Sequence, residues 1–328
     1  MRCAVIKGFG KEIANLVFED RDDLAATGEF VRVRVKATAL NRADLLQRRG
    51  LYPAPPGAPQ DIPGLEFVGC IDQVGEAVKE WKGGERVFGV VGGGSYAEQL
   101  ITHEGLLVPV PNVLTDHEAA AVPEAFMVAH DALSSQAEMR PGEVVLIHSV
   151  AGGVGSAAVQ LAHLAGCRAV GTAGSAEKLA AVARLAPFTA VDYREEDFHG
   201  KTISIFGKNA VAVILDTVGA PYWKRNLDLL RVQGRLIILG MMGGAQAETP
   251  LAVILAKRLR IIGSTLRQRT LDEKIAVTRR FAREVLPLLA GRKVKPVVDS
   301  VFPFGRLHEA TTRMENNKNI GKIVLSLT

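Results

Sequence analysis

The glycine-rich stretch HSVAGGVGSAAVQLA, residues 148–162, constrains the fold of this chain more than any other feature. An apolar run at residues 144–147 precedes it, as in buried parallel strands, and alanine and leucine recur after it at helical spacing. Gly152 and Gly155 fill the second and third glycine positions of a dinucleotide fingerprint, and Val150 stands at the first. Bare backbone at such a turn lets a pyrophosphate approach the helix N-terminus. The stretch predicts nucleotide binding, with plain helix-to-strand packing as the alternative.

The pattern of the chain changes near residue 119. Before it, short alternating or β-branched runs such as FVRVRVKATAL are separated by glycine and proline, which predicts a barrel-like β domain with one helix at ADLLQRRG. After it, strands alternate with helices, which predicts an α/β domain with a doubly wound parallel sheet. We expect a first domain at residues 1–123, joined by the returning segment 268–328, and a second domain at residues 124–267.

Composition agrees with an ordinary globular protein, because 48% of the residues are hydrophobic and 23% are charged. A formal net charge of +5 suits an anionic cofactor without requiring nucleic acid. The three cysteines are odd in number and far apart, so neither a disulfide framework nor a metal knuckle is predicted. No apolar run approaches the length of a membrane span, and we expect a cytoplasmic protein that does not contact membranes.

The end of the second strand of the predicted α/β domain, near residue 174, bears on the choice of cofactor. An acidic side chain there would accept hydrogen bonds from the ribose of NAD, whereas this chain has Gly174 and Ser175, followed by Lys178. A lysine attracts the extra phosphate of NADP, and the phenol of Tyr193 could add a hydrogen bond, so we predict NADPH. Two alternatives stay open. Glu177 could accept the hydrogen bonds of the NAD ribose, or Ser175 could cap a helix with Lys178 at the surface.

Several stretches, among them ALNRADLLQRRGLYPAPPGAP, PGLEFVG, GGVGSAAVQLA and NKNIGKIVL, together resemble the zinc-free quinone oxidoreductase branch of the medium-chain dehydrogenase/reductase superfamily. Within that branch the chain looks most similar to the zeta-crystallin-like, tumour-suppressor-inducible group of animals. The resemblance implies a GroES-like β-barrel domain, a Rossmann domain, NADPH as hydride donor, quinones as acceptors and a homodimer. LRIIGSTL, residues 259–266, is the candidate edge strand for pairing with a second subunit. Val128 departs from the family, whose members usually have threonine there.

The resemblance places Asn41, Asp44 and Tyr52 beside the nicotinamide. The Asn41 amide or the Tyr52 hydroxyl could donate a hydrogen bond to the developing oxyanion of a quinone, and a proton could come from Tyr52 or water. NRAD is also typical of a helix cap, with Asn41 as N-cap and Asp44 completing a capping box. Further cofactor contacts are expected at Gly153, Val154, Gly240, Met242 and Asn317.

A zinc alcohol dehydrogenase is the main alternative within the superfamily. A catalytic zinc needs three soft or borderline protein ligands. Leu65 stands where those enzymes place a histidine, Asn41 stands near their first cysteine ligand, and the histidines show no paired ligand spacing. We therefore expect no metal.

Two further functions remain open from the sequence. Reduction of enones or enoyl thioesters uses the same hydride and the same polarised oxygen as quinone reduction. RNA binding would use the basic residues from Lys257 through Arg267, Arg269, Arg279 and Arg280. Because this segment lacks interleaved aromatics for base stacking, a nucleic-acid partner is disfavoured.

Overall fold

The computed structural model describes the whole chain, Met1–Thr328, and divides it into two compact units. The first unit joins Met1–Met127 to Leu266–Thr328, and the second unit is Val128–Thr265. The sequence placed the corresponding boundaries after residues 123 and 267. No helix in the structure has the length and apolar character needed to cross a membrane.

The strands, in chain order, are β1 (Arg2–Ile6), β2 (Leu16–Asp20), β3 (Phe30–Ala39), β4 (Glu66–Val74), β5 (Arg86–Val90), β6 (Gln99–His103), β7 (Leu107–Pro109), β8 (Val144–Ile147), β9 (Arg168–Ala173), β10 (Thr189–Asp192), β11 (Val211–Asp216), β12 (Leu230–Ile238), β13 (Arg260–Gly263), β14 (Val298–Pro303) and β15 (Lys322–Ser326). The α-helices are α1 (Arg42–Arg48), α2 (Asp116–Ala120), α3 (Pro123–His130), α4 (Gly153–Leu164), α5 (Ala176–Ala183), α6 (Phe198–Phe206), α7 (Trp223–Leu229), α8 (Leu251–Lys257), α9 (Leu271–Glu284), α10 (Leu286–Ala290) and α11 (Leu307–Glu315). A π-helical segment, Asp131–Gln136, follows α3.

The long strand β3 is central to the larger sheet of the first unit, whose strand order is β14-β15-β3-β4-β5-β7, with β6 also paired to β3. Val31, Val33 and Val35 of β3 are buried, whereas Arg34 is exposed, because successive side chains of a strand point to opposite faces. β15 runs antiparallel to β3 and parallel to β14. The C-terminal segment therefore belongs to the sheet of the first unit.

The second unit is built on a six-stranded parallel sheet in the order β10-β9-β8-β11-β12-β13. Every residue of β8 and β11 is buried, as expected for central strands that are covered on both faces. The strand order reverses between β8 and β11, and ligands of such sheets bind at this reversal, beyond the carboxyl ends of the strands. The doubly wound parallel sheet predicted from the sequence is confirmed, and the glycine-rich turn after β8 lies at its switch point.

Candidate functional site

The glycine-rich turn leaves the N-terminus of α4 without a side-chain cap. Gly152 is the N-cap residue, and no side chain accepts a hydrogen bond from the first turn of the helix. The nearest atom to a Cβ built at Gly152 is the Ser149 carbonyl oxygen, at 3.4 Å, so the space over this glycine is open. The N–H groups of Gly153 and Val154, in the first helical turn, have no intrahelical acceptor, since a helix leaves its first N–H groups unpaired. The turn is therefore suited to an anionic group.

Gly155 has a different role in the same turn. A Cβ there would lie 2.4 Å from the Ser149 carbonyl oxygen and 2.6 Å from the Val150 Cα, so its absence lets α4 pack against the preceding turn. Ser149, and not Val150, has the left-handed backbone of the turn, with φ 54°. The side chain of Val150 is fully buried. A valine is therefore tolerated at the first position of the fingerprint. The packing alternative holds for Gly155, and open backbone is found at Gly152.

The carboxyl end of β9 brings together several residues predicted to contact the cofactor. A Cβ at Gly174 would lie 2.6 Å from the Tyr193 hydroxyl and 3.3 Å from Arg194 Nε. Ser175 caps α5, because its hydroxyl accepts the Lys178 N–H at 3.3 Å. Arg194 is exposed and was not predicted; its position directly after Tyr193 is the sequence signal that could have found it.

Gly240 and Met242 lie just beyond β12, whose last residue is Ile238. The Met242 N–H donates to the Thr217 carbonyl at 3.1 Å, and the Thr217 hydroxyl donates to the Ser149 hydroxyl at 2.9 Å. The segment after β12 is thus tied to the glycine-rich turn through the residue that follows β11.

A buried polar network fixes the ends of β8 and β11. His148 Nε2 lies 2.9 Å from Asn226 Oδ1, and Asn226 Nδ2 donates to Asp216 at 3.1 Å. The same Asp216 accepts the N–H groups of Val218 and Gly219 at 2.7 and 3.0 Å. Burial lowers the pKa of His148, which keeps its ring neutral. The network holds the strand ends that flank the switch point.

In the first unit, Asn41 belongs to a buried ionic cluster. Lys322 Nζ lies 2.6 Å from Glu66 Oε1 and donates to Asn41 Oδ1 at 2.6 Å. Asn41 Nδ2 donates in turn to Glu66 Oε1 at 2.9 Å. Asn41 is also the N-cap residue of α1, as predicted. Its side-chain amide therefore ties β4, α1 and β15 together.

Asp44 is buried, and both oxygens of its carboxylate accept hydrogen bonds. Its carboxylate accepts the Asn41 N–H at 2.7 Å, the Tyr96 hydroxyl at 2.9 Å and the Gly64 N–H at 3.2 Å. Burial raises its pKa to about 6, and these hydrogen bonds offset the rise only in part. The contact with Asn41 is the capping interaction that NRAD predicts.

Tyr52 is held by Arg267. Arg267 donates to the carbonyl oxygens of Tyr52 and Gly92, each at 2.8 Å, and to Gln47 Oε1 at 2.6 Å. Its guanidinium lies 4.9 Å from the centre of the Tyr52 ring. Because only 4% of Arg267 is exposed, this residue is not available to the basic surface considered for RNA.

Asn317 lies in the first unit, two residues after the end of α11. It has a left-handed backbone, with φ 54°, and its side-chain oxygen accepts a hydrogen bond from Arg42. The Arg42 contact places Asn317 near the start of α1.

Glu124 is a candidate that the sequence analysis missed. Its N–H donates to Glu66 Oε2 at 2.9 Å, and its own Oε2 is buried without a hydrogen-bond partner. Burial and the Glu66 carboxylate raise its pKa to about 8. An acidic residue within the apolar run AAAVPEAF is the signal that could have found it.

No group of three or more His, Cys, Asp or Glu residues is placed to hold a metal ion.

Comparison with known proteins agrees with this architecture. Residues 28–112 match the alcohol dehydrogenase GroES-like domain, and residues 153–283 match the zinc-binding dehydrogenase family. The chain is 32% identical to the rat synaptic vesicle membrane protein VAT-1 homolog, over 99% of this chain and 84% of the relative. It superposes on Escherichia coli quinone oxidoreductase complexed with NADPH with a TM-score of 0.89, at 27% identity over 99% of this chain and 100% of that one. CurK enoyl reductase is also similar, with a TM-score of 0.86 and 27% identity over 99% of both chains.

A GroES-like domain and a Rossmann-like parallel sheet define the class of protein, an oxidoreductase, and the predicted fold class is confirmed. The parallel-sheet domain is a fold that binds nicotinamide cofactors. The chain belongs to the medium-chain dehydrogenase/reductase superfamily, in its zinc-free quinone oxidoreductase branch.

Proposed function

We propose that this protein is an NADPH-dependent quinone oxidoreductase that works without a metal. The observation that carries the proposal is the carboxyl end of β9, where the bare backbone of Gly174 faces the Tyr193 hydroxyl and the Arg194 guanidinium. When bound, NADPH supplies the hydride. The chain's own residues bind the cofactor, orient the acceptor and polarise its oxygen.

The preference for NADPH rests on charge. An enzyme selective for NADH places a carboxylate at this strand end, where it would repel a 2′-phosphate. Here Arg194 and Lys178 offer cations, and Tyr193 offers a hydroxyl. These groups bind a phosphate more strongly than they bind a ribose hydroxyl. Glu177 is exposed on α5, beyond the strand end. The pyrophosphate is assigned to the uncapped N-terminus of α4.

The acceptor is assigned to the first unit. Both polar ends of the Asn41 amide are engaged by Glu66 and Lys322. The Tyr52 hydroxyl is therefore proposed as the donor to a quinone oxygen on the strength of the family resemblance and of the Arg267 contacts. Arg267 fixes the backbone on which Tyr52 lies, which favours a preorganised donor. Asp44 has a positioning role, since its carboxylate binds the start of α1 and Tyr96.

The residues at Asn41 do not fit a catalytic zinc. Asn41 and Leu65 are not zinc ligands of the usual kinds. The Lys322 ammonium lies 2.6 Å from both the Asn41 oxygen and Glu66, where it would repel a second cation. The proposed reaction therefore uses hydrogen-bond donors in place of a metal.

A homodimer is part of the proposal. β13 is an edge strand of the parallel sheet, and the neighbouring helix α8 exposes Leu251 and Leu255 by 73% and 80%. Pairing two copies of this edge would cover both features. Sedimentation at the mass of a single 35.1 kDa chain would contradict the dimer.

Reduction of activated alkenes is the second candidate, favoured by the similarity to CurK enoyl reductase. The test is oxidation of NADPH by the purified protein with an ortho-quinone, a para-quinone, a simple enone and an enoyl thioester. We expect turnover with at least one quinone at a higher kcat/KM than with either alkene. Turnover confined to the enoyl thioester or the enone would replace the quinone assignment with the second candidate.

A further inference from the structure

Glu124 is the one carboxyl group of the chain with a buried oxygen that has no hydrogen-bond partner. It is the second residue of α3, and its N–H is anchored on Glu66 Oε2 at 2.9 Å. Its Oε2 is buried and has no hydrogen-bond partner, although the residue as a whole is only half-buried. A buried, unpartnered carboxyl oxygen is costly when ionised, which favours the protonated form of the group.

The charges around Glu124 favour its neutral form. Glu66 and Asp44 are acidic neighbours that raise the pKa of Glu124, whereas Lys322 and Arg267 lower it. Lys322 is paired with Glu66 at 2.6 Å, and Arg267 is committed to Gln47 and two carbonyl oxygens. Neither cation makes a hydrogen bond to the Glu124 carboxyl, so burial dominates and its pKa is about 8.

We propose that Glu124 holds the proton that is delivered to the oxygen of the reduced acceptor, an inference that rests on the proposed quinone reduction. Hydride from NADPH brings two electrons to the quinone and leaves an oxyanion. The O–H bond of the Glu124 carboxyl breaks, and a new O–H bond forms on that oxygen, giving the hydroquinone. The resulting carboxylate regains a proton from water. Glu66, held by Lys322, is a positioning residue that maintains the protonated state of Glu124.

The first test compares the pH dependence of kcat in the wild type and in E124Q. Glu124 can donate only while protonated, so wild-type kcat falls as the pH rises through about 8. E124Q is expected to lose about 100-fold in kcat, the order of magnitude of general acid catalysis, and to lose this fall. E80Q is the matched control, because Glu80 is an exposed carboxylate of the same unit. A wild-type rate and an unchanged pH profile in E124Q would overturn the inference.

E66Q gives a signature that a merely structural role would not produce. Because the Glu66 carboxylate raises the pKa of Glu124, its replacement is expected to move the fall in kcat to lower pH. Y52F separates the roles: we expect a lower kcat with the fall near pH 8 retained. Disappearance of the fall in Y52F, with its retention in E124Q, would assign the proton to Tyr52 instead.

A readout without turnover is the infrared carboxylic acid band of the cofactor-free protein. We expect a band that disappears as the pH rises through about 8 and is missing from E124Q. Absence of such a band in the wild type between pH 6 and pH 7 would overturn the inference. Absence of quinone turnover by the wild type would instead overturn the proposed function.

Discussion

Arg194 is the side chain that most directly tests the cofactor preference. Its guanidinium lies beside the bare backbone of Gly174, where the 2′-phosphate is assigned. We predict that R194M raises KM for NADPH about tenfold, as expected for the loss of one charge-assisted hydrogen bond. KM for NADH should remain nearly unchanged. R184M is the control, because Arg184 is exposed at the opposite end of α5. Equal changes for both cofactors would show that Arg194 does not read the phosphate.

Asp44 makes stability depend on pH with a definite sign. Its pKa is about 6 in the folded protein, above the usual value near 4, so the folded state holds a proton that the unfolded chain has lost. From pH 4 to pH 7 we predict that the free energy of unfolding of the wild type falls by about 2 kcal/mol relative to D44N. Urea denaturation at the two pH values measures this difference. The exposed D272N variant should track the wild type, and a constant difference for D44N would contradict the account.

Local sequence was sufficient for residues whose partners are close in the chain. Ser175 as a helix cap and Asn41 as the N-cap of α1 follow from spacings of a few residues. Arg267 and Glu124 could not be predicted in the same way. The partners of Arg267 lie at residues 47, 52 and 92, and Glu124 is anchored on Glu66, so their burial depends on the folded sheet.

At the scale of elements, the turn from β8 into α4 separates ligand binding from packing. We predict that G155A lowers stability by about 1–3 kcal/mol, because its Cβ would lie 2.4 Å from a carbonyl oxygen. G152A should fold almost as stably as the wild type, since its Cβ would meet only one atom, at 3.4 Å. The added methyl should nevertheless weaken binding of NADPH and NADH alike.

Thermal denaturation and cofactor titration of G152A and G155A test this division. Each variant serves as the control for the other, because both add one methyl group to the same turn. Full cofactor affinity in G152A would contradict the assignment of the pyrophosphate to the N-terminus of α4.

Hydrophobic periodicity predicted the strands of the parallel sheet because buried strands read as apolar runs. Every residue of β8 and β11 is buried, and both runs were recognised from the sequence. Periodicity could not predict which strands pair with β3. This strand makes contacts with β4, β6 and β15, and the last of these begins nearly 300 residues later in the chain.

At the scale of the whole molecule, the candidate residues divide between the two units. The second unit contains the glycine-rich turn, the end of β9 and the segment after β12, whereas the first contains Asn41, Asp44, Tyr52, Glu124 and Asn317. The basic segment considered for RNA is also divided, since Lys257 lies in the second unit and Arg267 in the first. Lys257 donates to the carbonyl oxygens of Leu227 and Asp228. The hydrogen bonds of Lys257 and of the buried Arg267 to other parts of the chain argue against a basic surface formed by that segment.

Hydride transfer from NADPH to a quinone is the reaction on which the proposed function depends. The most direct measurement is the oxidation of NADPH and, separately, of NADH by the purified wild-type protein with a single ortho-quinone under steady-state conditions. We predict quinone-dependent turnover with kcat/KM at least tenfold higher for NADPH, as expected when cations bind the 2′-phosphate. Equal or faster turnover with NADH, or no quinone-dependent oxidation of either cofactor, would contradict this prediction.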